Sequence, residues 1–151
     1  MTAQMKDPFI WNHEKWTFIG AEDVYSLFDP QKYGLIPTMA NTACYKGFIV
    51  QFAVIDNSLF LEKLLVRCKN NLYPPINGIN PVPGNYGMTA YNDIHLPLSY
   101  TGKIIVGNEM KPEFHHRAFT GPHSYAITFE LSFIDGTLVE SKETSGSYIG
   151  F

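Results

Sequence analysis

The segment from Gly47 to Ile55 constrains this chain more than any other. Phe48, Val50, Phe52 and Val54 alternate there with Ile49, Gln51 and Ala53. Successive side chains leave opposite faces of a strand, so a period of two predicts a strand with one face turned to a core. Asp56-Asn57-Ser58 follows, and these residues tolerate the positive φ of a tight turn. The return run from Leu59 to Cys68 contains Leu61, Leu64, Leu65 and Cys68, which also fit one helical stripe. Its short length and its direct exit from a turn favour a strand.

The same grammar recurs near the C-terminus. Ile127, Phe129, Leu131 and Phe133 alternate with Thr128, Glu130 and Ser132, and Asp135-Gly136 turns the chain into Thr137-Leu-Val-Glu. Ile55-Asp-Asn-Ser-Leu59 and Ile134-Asp-Gly-Thr-Leu138 lie 79 residues apart. A duplicated hairpin unit would produce this match, and so would any two antiparallel hairpins compared over five residues.

The remaining segments fit around these two hairpins. Residues 8–20 hold two apolar-aromatic runs about a polar centre at Asn12 to Lys15, which predicts an opening hairpin. Residues 22–28 place acidic residues before an apolar group and stop at Asp29-Pro30, so one or two helical turns are expected. Pro30, Gly34 and Pro37 make an irregular connection of residues 31–42, with Tyr33, Leu35 and Ile36 placed to tuck against the core. Residues 69–98 carry five of the ten prolines and six asparagines. Regular structure should not persist there, and a segment of this length is functional or mobile. Residues 94–100 and 103–106 read as two further strands around Thr101-Gly102.

The predicted fold is mainly β, a single domain over residues 1–151. It is an antiparallel curved sheet or partly closed barrel of about seven to nine strands, with at most one short helix. A chain of 151 residues with 11 Phe and 9 Tyr can bury a core of its own, and aromatics suit pleated surfaces.

Charge and cysteine content narrow the function classes. The net charge of -3 arises beyond Pro75, where four basic residues face seven acidic ones. No basic stripe marks a nucleic-acid binder. Cys44 and Cys68 lie in apolar runs without a CxxC spacing and read as core thiols. No stretch has the length of a membrane span and no signal peptide is evident, so a cytoplasmic location is expected.

No nucleophile elbow, phosphate loop, dinucleotide fingerprint or HExxH motif is present, and no cofactor is expected. The histidines form the only constellation. On a strand Asp93 and His95 would share a face as a carboxylate-histidine pair. His95, His115 or its neighbour His116, and His123 could converge, with Glu130 on a polar cavity face. Their spacing preorganises no metal site, so none is predicted. The alternative to a polar cavity at Glu130 is simple solvent exposure. The long loop from Leu72 to Tyr91 offers Tyr73, Tyr86 and Tyr91 as anchors for a partner protein.

Tyr33-Gly-Leu-Ile-Pro37, Asn41-Thr-Ala-Cys-Tyr-Lys-Gly47 and the hairpin to Leu65 resemble small uncharacterised bacterial proteins, some of them immunity partners of polymorphic toxins. The resemblance covers the first half of the chain and transfers no functional residue. It implies a non-enzymatic protein that binds another protein. The competing expectation is a small enzyme or ligand-binding protein with a cavity lined by histidine and carboxylate.

Overall fold

The computed structural model describes residues 3–115, 117 and 120–146, and it is a mixed, strongly curved β-sheet. The strands are β1 (Asp7–Trp11), β2 (Glu14–Ala21), β3 (Phe48–Ile55), β4 (Ser58–Val66), β5 (Val82–Pro83), β6 (Thr89–Tyr91), β7 (Leu96–Pro97), β8 (Gly102–Met110), β9 (Tyr125–Ile134) and β10 (Thr137–Glu143). One helix, α1 (Val24–Leu27), follows β2, with Asp23 as its N-cap.

Seven strands form a ring in the order β10-β9-β8-β2-β1-β3-β4, closed by a bridge between Thr137 and Ser58. An odd ring cannot alternate direction all the way round, so at least one neighbouring pair must be parallel. That pair is β1 and β3, in register at Phe9 with Phe52 and Ile10 with Ala53. Because β1 lies between β2 and β3, the connection from β2 to β3 must pass the end of β1. Residues 22–47 therefore carry α1 and a 3-10 turn (Pro30–Tyr33) across the start of that strand.

The three tight hairpins of the ring turn on two residues with positive φ: Asn12 and His13, Asp56 and Asn57, Asp135 and Gly136. This is the backbone twist that two-residue hairpins require. The run from Leu59 is a strand, as its exit from the turn predicts. The core joins Phe9, Val50, Phe52, Leu61, Ile104, Leu131 and Phe133 with Leu27, Phe28 and Leu35 from the connection. Phe48, Val54, Ile127 and Phe129 only border it. A bulge between Gln51 and Phe52 shifts the register of β3 against β4. Ala53 is buried as well, so the predicted alternation does not hold along the whole strand.

Three expectations are corrected. Ile36 is exposed at 47% rather than tucked in. Residues 94–100 are not one strand, since only Leu96 and Pro97 pair with β4; positive φ at Asp93 (53°) and His95 (48°) breaks the extended backbone before them. The proline-rich segment is not wholly irregular, because β5 and β6 pair with each other at its end and β6 adds to β4. No helix among the described residues is long and apolar enough to cross a membrane.

Candidate functional site

The residues singled out by the sequence do not converge. His95 leaves Asp93 and instead lies 2.8 Å from Glu62 Oε1, stacked on Phe60 with ring centroids 4.2 Å apart. The cause is again the positive φ at both Asp93 and His95, which destroys the strand geometry that would have put them on one face. His115 Nε2 donates to the Met110 carbonyl at 3.2 Å, while His123 packs edge-on against Phe114. His116 lies outside the described residues. Glu130 pairs with Lys103 Nζ at 3.0 Å, which raises the pKa of that lysine through a hydrogen bond and charge attraction. Its neighbour on that face, Thr128, is buried and hydrogen-bonds Thr144 at 2.9 Å. Among the described residues no three His, Cys, Asp or Glu side chains group closely enough to hold a metal ion.

The three tyrosines divide in the same way. Tyr91 is fully buried and its hydroxyl donates to the Pro74 carbonyl at 2.7 Å, so it covers the core instead of presenting an anchor. Tyr73 is half-buried, its hydroxyl accepting the Cys68 N–H at 3.0 Å. Tyr86 alone stands out, at 64% exposure.

The most apolar of the larger cavities among the described residues lies elsewhere, beside the start of β1. A cavity of about 390 Å³ opens between α1 and β3, walled by Phe18, Tyr25, Leu27, Phe28, Phe48 and Phe52, with Asp7, Asp29 and Lys46 as its charged members. A second cavity of about 300 Å³ lies under the N-terminal segment, lined by Gln4, Lys6, Cys44, Tyr45, Thr120 and Tyr125. Asp7, Phe18 and Lys46 line both, so the two spaces meet at one ion pair. Mostly apolar walls with a few fixed polar groups, at this size, are the usual make-up of a small-molecule site.

Local structure explains how that ion pair is held. Asp7 stands at the head of the parallel β1–β3 ladder, and its Oδ1 accepts the Val50 N–H at 2.9 Å. The side chain thus satisfies a strand donor beyond the last paired residue. Lys46 reaches Asp7 Oδ2 from the segment leading into β3 and lies 4.8 Å from the centroid of the Phe48 ring. Between Lys46 and β3 the chain bends at Gly47, whose φ is +82° and whose Cβ position would lie 2.1 Å from the Thr38 carbonyl oxygen. Only glycine fits that bend, and the bend aims Lys46 back at β1.

Burial sets the remaining electrostatics. Desolvation lowers the pKa of Lys6, against an opposing attraction from Asp7. It raises the Cys44 thiol and the Tyr125 hydroxyl, which faces Thr120 and Thr17. Sequence reasoning missed Lys6, Asp7 and Lys46 because Asp7 and Lys46 are 39 residues apart and carry no motif. Single charges beside strand ends are common on any surface. Comparison with protein-family models, curated proteins and solved structures finds no match to this chain.

Proposed function

We propose that this protein binds a small amphipathic molecule in the cleft between α1 and the start of β1. The observation that carries this reading is the aromatic cavity of about 390 Å³, bordered by buried Asp7 and its more exposed partner Lys46. Apolar walls supply affinity in such a site, and a few placed polar groups orient the ligand. A neutral fluorescent probe, N-phenyl-1-naphthylamine, tests it. One saturable site is expected, blocked by Val24→Trp at the exposed rim of the cavity. Absence of saturable binding, or binding indifferent to that substitution, rejects the reading.

A second reading has its own observation. Tyr86 sits at φ 59° and ψ 27°, a conformation unfavourable for a bulky residue, and both it and Val82 are exposed on the long loop. In this reading the chain is a binding protein of the immunity type and the loop docks a partner protein. Capture of a defined partner that Tyr86→Ala abolishes, at unchanged melting temperature, would support it over the cleft.

A further inference from the structure

We infer that the cleft selects an anionic amphiphile, with its acidic head group at Lys6 and its apolar body passing Phe18 into the cavity walled by Phe28 and Phe48. The inference rests on the reading of the cleft as a ligand site and assigns the chemical class of that ligand.

Charge at the junction decides the sign. Asp7 is already matched, since its two oxygens receive Lys46 Nζ and the Val50 N–H. The cation that remains is Lys6. Its ammonium donates to Thr120 Oγ1 at 3.0 Å, and among the described residues no carboxylate lies within ion-pair distance of it. An ammonium group has three donors, so two remain for a ligand. The second cavity therefore presents two lysines, one matched carboxylate and the neutral hydroxyls of Thr120 and Tyr125.

Desolvation supports the same assignment. Burial disfavours the charged form of Lys6, and a bound anion would restore the charge interaction that lost water provided. Asp29, the other carboxylate of the apolar cavity, accepts the Gln31 N–H at 3.1 Å as a turn cap and so has a structural role. A cationic head group would meet Lys6 and Lys46. A neutral one would leave Lys6 unmatched.

Three probes of equal chain length separate the possibilities: decanoate, decan-1-ol and decylammonium, each competed against N-phenyl-1-naphthylamine. Decanoate should bind about 10-fold more tightly than decanol, and decylammonium more weakly than either. Lys6→Gln should abolish the advantage of decanoate without changing decanol affinity, while Lys6→Arg retains it. Equal affinity for acid and alcohol, preference for the amine, or an acid preference that survives Lys6→Gln overturns the inference while leaving the cleft a ligand site. If the dye binds but none of the three probes displaces it, the inference fails and the cleft stays a ligand site; if no dye binds, the reading of the cleft itself fails.

Discussion

Leu59 and Leu138 clasp the ring by bonding to each other's hairpin. The Leu59 N–H donates to the Gly136 carbonyl at 2.9 Å, and the Leu138 N–H donates to the Asn57 carbonyl at 2.7 Å. Ser58 and Thr137, which pair between them, complete a local two-fold arrangement of the two recurring pentapeptides. The sequence match therefore coincides with the seam at which β4 meets β10.

The seam predicts an asymmetric response at its two turns. A Cβ on Gly136 would lie 2.1 Å from the Leu98 carbonyl oxygen, at φ +80°, so Gly136→Ala should lose more than about 2 kcal/mol in urea unfolding. Asn57→Gly, at φ 62° in the other turn, should lie within about 1 kcal/mol of wild type. Equal losses would show that the seam does not constrain Gly136.

Asp7 should matter far more to stability than its partner. Asp7→Ala removes the acceptor of a buried strand N–H and leaves Lys46 unmatched, a loss of about 3 kcal/mol. Lys46→Met removes a partner that is 43% exposed and leaves the Val50 bond in place, so it should cost less than about 1 kcal/mol. Urea titration of the two variants checks the order, and the reverse order would contradict the described geometry.

Alkaline pH should weaken the fold through Tyr91. Burial foremost, then the nearby Cys68 and Tyr73, push its hydroxyl up to about 12, whereas an unfolded tyrosine ionises near about 10. Only the unfolded chain loses the proton between these values. Stability is thus complete below about pH 10 and declines towards pH 12, by roughly 2–3 kcal/mol from this residue. Tyr33, Tyr100 and Tyr125 shift in the same direction. Tyr91→Phe should flatten the decline in a pH series of urea midpoints, and an unchanged slope would refute the assignment.

The two phenylalanines of equal sequence rank should separate on truncation. Phe52 is buried at 2%, and Phe52→Ala should cost about 3–5 kcal/mol. Phe129 borders the core against Trp11 and Trp16, at 5.0 and 5.4 Å between ring centroids. Phe129→Ala should cost about 2 kcal/mol and alter tryptophan emission, a signal that Phe52→Ala leaves largely untouched.

The features legible in the amino-acid sequence are local. Alternation through Phe48 to Val54 and Ile127 to Phe133, with Asp56-Asn57 and Asp135-Gly136 after them, specified two hairpins, because face and turn are set by residues a few positions apart. Asn12-His13 and the stop at Asp29-Pro30 were legible for the same reason. Tertiary structure alone decided the parallel pairing of β1 with β3, the closure at Ser58 and Thr137, and the burial of Tyr91. It also decided the meeting of Lys6, Asp7 and Lys46 at the cleft. Each of these depends on segments distant in the chain, whose approach follows from how curved strands close a ring and carries no local pattern. His95 shows the limit most directly: spacing placed it beside Asp93, and the positive φ of both residues turned it to Glu62.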